Sequence, residues 1–274
     1  MIRFYLITFF ILVNTFLFAQ IEQEGSIDES KLYASTKQVN QFFKRFNGEE
    51  DLKGNRYFEK DKQFRDTELR KKYISILFDE ANGGISKESK NSFINDVTNK
   101  SNPKLLDFHQ EGWLAEVNAV FKRNGKDENV ILFFKIQQQG QGYAWVLDKV
   151  SLAGYKPIFK KDTSDNRAFI HPMSHELDFM NLHRAFETNK IMDFTSDDFT
   201  PDHLSLFLYE LANKKLTYKT VKNVNFHFLQ CDGWYFSITE FNRPGYNTGW
   251  LISDLTPIMP QDVPALKAYI YDQE

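Results

Sequence analysis

The sequence predicts an α+β protein in which helices are followed by a curved antiparallel sheet, a programme that is run twice. Three observations carry this. Apolar residues first recur at helical spacing, at Val39, Phe42, Phe43 and Phe46 and again at Leu69, Tyr73, Ile76 and Leu77. Beyond Pro103 the period changes to two: Trp113, Ala115, Val117, Ala119 and Phe121 alternate with Leu114, Glu116, Asn118 and Val120. After a polar stretch the order of helix and then strand starts again.

The elements follow in order. The first helix stops at Asn47-Gly48, the second follows Thr67 as its N-cap, and the third starts near Ser86 and ends before Pro103. The strand from Trp113 turns at Asn124-Gly125-Lys126-Asp127, returns over Val130 to Ile136, turns again at Gly140 and Gly142, and runs from Tyr143 to Val150. Turns this short make an antiparallel meander. Residues 154–173 hold Pro157 and a Lys-Lys-Asp-Thr-Ser-Asp-Asn run. They are expected to link a first domain, residues 31–153, to a second, residues 174–274. In the second, one helix follows Ser174 with Phe179, Leu182 and Phe186 on one side, and another takes Thr200 as N-cap with Pro201 at its first position. Strands are expected over Leu216 to Thr220, Val224 to Gln230, Trp234 to Phe241 and Gly249 to Leu255.

The N-terminus points outside the cytoplasm. Residues 1–19 carry Arg3 and then an apolar run from Phe4 to Ala19, broken by Thr8, Asn14 and Thr15. Spanning a bilayer takes roughly 20 apolar residues, whereas a charged start, a short apolar run and a small residue before a polar one match a cleaved secretory signal. The mature chain is expected to begin near Gln20, with residues 20–30 as a flexible acidic lead, no membrane span, and a periplasmic or extracellular location.

Composition narrows the function. With 34 Lys+Arg against 37 Asp+Glu there is no basic excess for binding nucleic acid through bulk charge. A single Cys excludes an intrachain disulfide framework and any multi-cysteine metal site. Aromatic residues make up 16% of the chain and Phe alone occurs 27 times, enough to line more than one apolar core.

The two strand sets share a pattern. Phe133-Phe134-Lys135-Ile136 precedes the strand led by Trp145, and Tyr235-Phe236-Ser237-Ile238 precedes the one led by Trp250. This is read as a degenerate duplication. Helices followed by a curved meander that closes on a Trp-led strand resembles the ketosteroid-isomerase-like superfamily of cone-shaped α+β domains, here as two tandem cone-like domains. The resemblance implies a sheet curled over a helix with an apolar pocket between them, in a superfamily that includes isomerases, dehydratases, hydrolases and binding modules, so fold alone selects no chemistry.

The residues that could carry chemistry are few. His171, His175 and His183 cluster around Glu176 and Asp178, but their spacing is poor for a metal, and packing between domains is the expected role. Cys231 and His227 are expected on one strand, four residues apart, roughly 13 Å at ~3.3 Å per residue, too far for a thiol and its base. Gly140-Gln141-Gly142 leads into a strand rather than a helix and is a hairpin turn, not a phosphate loop. Glu116 with Asn118, and Asn225 with His227, could face a pocket, although the solvent face of a half-buried sheet is the expected place for both pairs. What remains is the aromatic stock of the strands. Trp113, Tyr143, Trp145, Trp234 and Trp250 are the candidate ligand-binding residues. The sequence therefore predicts an exported, non-enzymatic binding or interaction protein with aromatic-lined concave sheets, no metal and no cofactor, whose partner is a protein or an apolar small molecule. The alternatives are an isomerase, dehydratase or hydrolase working in one cone, and a structural subunit of an envelope assembly.

Overall fold

The computed structural model describes residues 38–158, 170, 179–180, 182–183, 187 and 191–272. The signal and lead expected at residues 1–30, the residues from Lys160 to Arg167 of the expected linker, and His171, His175, Glu176 and Asp178 lie outside them. His183 is described and exposed.

The first three helices among the described residues are α1 (Val39–Asn47), α2 (Thr67–Ile76) and α3 (Lys87–Val97). Each has an identifiable start. Gln38 and Gln41 make a reciprocal capping box on α1, Asp66 accepts from the Glu68 and Leu69 amides on α2, and Ser86 accepts from the Ser89 amide on α3. Thr67, expected as the cap of α2, is its first helical residue, because the Asp66 carboxylate takes both free amides. Helix α1 ends at Gly48, whose φ is +72° and where a Cβ would stand 2.6 Å from Arg70 Cγ. Arg70 is buried there, its Nε donating to the Phe46 carbonyl at 3.2 Å and its Nη2 to the Lys104 carbonyl at 2.6 Å. Burial pushes its guanidinium down to about 10.

Six antiparallel strands form one curved sheet, consistent with the α+β class. They are β1 (Trp113–Arg123), β2 (Lys126–Gln139), β3 (Gly142–Ser151), β4 (Leu216–Phe228), β5 (Trp234–Phe241) and β6 (Gly249–Pro257), in the order β3-β2-β1-β4-β5-β6. The order is palindromic. Each half of the chain supplies a three-stranded meander, and the meanders meet where β1 pairs with β4 from Trp113↔Phe228 to Arg123↔Leu216. The turn between β1 and β2 holds Asn124 (φ 51°) and Gly125 (φ 78°), the paired positive φ of a two-residue hairpin. The two strands expected over Leu216 to Thr220 and Val224 to Gln230 are one strand. Its pairing with β1 slips twice, between Asn118/Ala119 and between Val120/Phe121, so bulges take up the polar run that looks like a break in the sequence.

The first-half helices lie on second-half strands. Phe42, Phe43 and Phe46 of α1 and Phe93 of α3 pack with Phe228, Phe236, Ile252 and Leu255 in one core. Trp113 stacks on Phe228 at 5.5 Å and 11°, and Phe228 on Phe236 at 4.8 Å and 8°. At the other end of the same sheet face, Phe207 of helix α4 (His203–Ala212) covers Ala119, Phe121, Val130 and Val150. Helix α4 starts after Asp202, whose carboxylate accepts from the Leu204 amide. Thr200 and Pro201, expected as its cap and first residue, precede it, since the side chain that reaches the free amide is Asp202. Tyr155, in the expected linker, is fully buried and donates to Glu210 of α4 at 2.6 Å. A last helix, α5 (Val263–Tyr271), was not expected. It lays Ile270 against Leu114, Phe133 and Tyr235 on the opposite sheet face. No described helix is long and apolar enough to cross a membrane.

Candidate functional site

The two faces of the sheet present different chemistry. On the α5 side, alternation places Glu116 of β1, His227 of β4 and Tyr235 of β5 side by side. Glu116 Oε2 lies 2.9 Å from His227 Nε2, and the Tyr235 hydroxyl lies 2.8 Å from Nδ1. Asn118 donates to Glu116 Oε1 at 2.9 Å and Asn225 to the same oxygen at 3.4 Å. Thr239 extends the chain by donating to Asn225 Oδ1 at 3.0 Å. The two pairs that the sequence offers separately are thus one network. Glu116 and His227 are each 4% exposed rather than solvent-facing, because α5 and Tyr235 pack on this side of the sheet.

The electrostatics follow from this packing. Burial raises the Glu116 carboxyl, but the hydrogen bonds from His227, Asn118 and Asn225 outweigh it and hold the group below its usual value. Burial pushes the Tyr235 phenol well above its ordinary range. In the tautomer with its proton on Nε2, His227 donates to Glu116 and accepts from the Tyr235 hydroxyl. A carboxylate, imidazole and phenol in line can pass a proton. Here, however, both ring nitrogens and both carboxylate oxygens already have side-chain partners, the pattern of a buried polar network that fixes strand register.

Cys231 lies apart from His227. Strand β4 ends at Phe228, so Cys231 sits in the following turn rather than on the same strand, and it packs in the α1–α3 core. Burial pushes its thiol up to about 12.

The other face is aromatic. The candidates Trp113, Tyr143, Trp145 and Trp250 all belong to it. Trp113 meets Trp145 edge-on at 4.8 Å, Trp145 lies 6.0 Å from Phe226, and Phe226 lies 5.0 Å from Trp250. Trp234 is set apart from this group: its indole donates to Asp96 at 2.8 Å and its ring packs edge-on to Phe93 at 5.3 Å. Helices α1–α3 cover one end of the face and α4 the other. Between them Val117, Phe134, Ile136 and Leu147 are only half-buried, while Trp145 is 39% and Tyr143 47% exposed. This makes an open apolar shelf. Beneath it, the buried Trp113 Nε1 has no hydrogen-bond partner.

Strand alternation alone did not reveal one wall of the shelf. The loop from Leu105 to Gly112 brings Phe108 to Trp113 at 4.9 Å and His109 to Tyr143 at 4.5 Å. Two side chains hold it in place. Asn47 bonds both the N–H and the carbonyl of Leu106 at 2.8 Å, and Gln230 accepts from the Asp107 amide while donating to the carbonyls of Asp107, Gln110 and Glu111. The sequence signal for it is the aromatic pair Phe108-His109 placed outside any periodic segment.

Among the described residues no group of His, Cys, Asp or Glu could hold a metal ion. Comparison with family models, with curated proteins and with solved structures returned no match.

Proposed function

We propose that the chain is an exported binding protein whose aromatic shelf receives an apolar or aromatic group. The observation that carries this reading is the exposure of Tyr143 and of Trp145, the latter edge-on to Trp113, whose indole N–H is buried without a partner. Exposed rings set against a rigid aromatic floor lose little conformational freedom on binding and offer stacking worth about 0.5–1.5 kcal/mol per ring beyond the area buried. The second reading, proton-transfer catalysis by Glu116 and His227, is favoured by the buried 2.9 Å pair and its tyrosine. Against it stands the full occupancy of that pair by protein partners. The palindromic strand order supports the further reading that the halves are degenerate copies of one cone-like unit.

The binding reading is tested by titrating N-phenyl-1-naphthylamine, a neutral aromatic dye, and following dye and tryptophan fluorescence. Trp145→Ala is expected to weaken binding by about tenfold, a loss of roughly 1.4 kcal/mol. Unchanged affinity in Trp145→Ala would remove the shelf from consideration. Export rests on the pattern of residues 1–19 and is tested by intact mass. Protein from the native compartment is expected to begin at or near Gln20, and retention of Phe4 to Ala19 would refute it.

A further inference from the structure

The shelf ends against a recess of different character. A cleft of about 760 Å³ lies between α1, the Glu49–Arg65 segment and the Leu105–Gly112 loop. Its wall is apolar, formed by Phe43, Leu105, Leu106 and Phe108, and its rim carries Lys44, Arg56 and Arg65. Of the two carboxylates at the rim, only Glu49 is paired with a cation. Glu49 Oε1 accepts from Arg65 Nε at 2.8 Å, and Asp107 Oδ1 accepts from the His109 amide at 2.8 Å. Lys44 and Arg56 have no carboxylate within ion-pair distance among the described residues, and the lining carries three cations against two carboxylates, an excess of one positive charge in a chain whose formal net charge is −3.

The recess and the shelf share a wall. Phe108 packs edge-on to both Phe43, at 5.3 Å, and Trp113, at 4.9 Å. The next residue, His109, lines the cleft and lies 4.5 Å from the exposed Tyr143. Because Asn47 and Gln230 fix this loop, the spacing between the cationic rim and the aromatic shelf is built in rather than acquired on binding.

Resting on the shelf reading above, we propose that cleft and shelf are two ends of one site and that its ligand is a free amphipathic organic anion. The apolar body lies along Tyr143, His109 and Phe108, and a carboxylate, sulfonate or phosphate head is received by Lys44 and Arg56. Charge complementarity selects this occupant: a neutral apolar ligand leaves the cationic excess beside the apolar wall unmet, and an inorganic anion leaves the wall unused. Arginine offers a planar fork to such a head and lysine a point charge, a pairing that tolerates several oxyanion shapes.

The experiment compares two dyes that differ by one group. These are 8-anilinonaphthalene-1-sulfonate and its neutral counterpart N-phenyl-1-naphthylamine, each titrated at low and at high salt. The sulfonate is expected to bind about tenfold more tightly at low salt, with the advantage shrinking as salt screens the rim. The double substitution Lys44→Gln/Arg56→Gln is expected to collapse the ratio of the two affinities to about one, with the circular dichroism spectrum of the native protein retained. Equal affinities in the native protein, or a sulfonate preference that survives the double substitution, would overturn the inference. So would protein that sediments with anionic phospholipid vesicles while leaving the free sulfonate unbound. Failure of the shelf itself is read separately, from the neutral dye and Trp145→Ala.

Discussion

Trp145 and Trp250 lead the last strands of the two meanders, and both rings touch Phe226, at 6.0 and 5.0 Å. Trp250 is 8% exposed and belongs to the α1–α3 core, whereas Trp145 is 39% exposed. Residue type and sheet face are the same for both, and each lies on the last strand of its meander, so none of these distinguishes a covered ring from an open one. The difference lies in what covers them. The helices of the first half cross to the second meander and cover Trp250, leaving the strands that follow them in sequence partly bare. An aromatic residue on a strand stays exposed when the helices of its own half are used elsewhere.

The sharpest test of this contrast sets the covered stack against the open shelf. Phe228→Ala, which removes the ring between Trp113 and Phe236, is expected to cost about 3–5 kcal/mol in urea unfolding. Trp145→Ala, on the same face, is expected to cost less than about 1 kcal/mol. Similar losses would mean that the shelf is core and the contrast false.

A second test concerns the opposite face, where α5 does the covering. Glu116→Gln is expected to cost about 1–3 kcal/mol near neutral pH, because His227 Nε2 loses its charged partner in a buried setting. Its pH dependence has a definite sign. The folded-state value of Glu116 lies below the unfolded value of 4.5, so between the two the unfolded chain binds more protons. The stabilisation is complete above 4.5 and is lost as pH falls through the folded value. Stability measured against pH should therefore fall less steeply in Glu116→Gln over this acid range. An identical acid limb would show that the carboxylate carries no such linkage.

The smallest expected effect is at Cys231, buried beneath α1–α3. Cys231→Ser should lower stability by about 1 kcal/mol, as a hydroxyl replaces a small apolar group, and leave dye binding unchanged. The native thiol should react with a disulfide reagent only after unfolding. Rapid reaction in the folded protein would show that the covered end opens readily.

Local structure was legible where the signal is local. The helical spacing of Phe42, Phe43 and Phe46, the stop at Asn47-Gly48, the start near Ser86 and the Asn124-Gly125 turn each act within a few residues. Helix α5 was missed although Pro264 in its first turn is a readable start signal. The merging of β1 with β4 was not legible. Alternation states which side of a strand is apolar, but not which strand lies beside it. The same limit hid the Glu116–His227 bond, whose partners stand 111 positions apart, although each residue was singled out with a neighbour on its own strand. All five aromatics named for binding lie on one sheet face, but only four of them belong to the shelf and its floor. Trp234 does not join the shelf because Asp96, on a helix, takes its N–H. Phe108 and His109 belong to a loop whose position depends on Asn47 and Gln230, two polar side chains with no periodic signature.

The seam between β1 and β4 also governs the order in which the molecule can be assembled. Helix α1 touches Trp113 of β1 through Phe43 but lacks its contacts with Phe228 and Phe236 until the second half exists, and until then β1 has a bare edge on the side where β4 will pair. Closing that seam joins segments about a hundred residues apart, a costly loop that favours slow, late collapse over stepwise folding from the N-terminus. During synthesis the first half is therefore expected to complete its apolar core only after Phe228 and Phe236 have emerged.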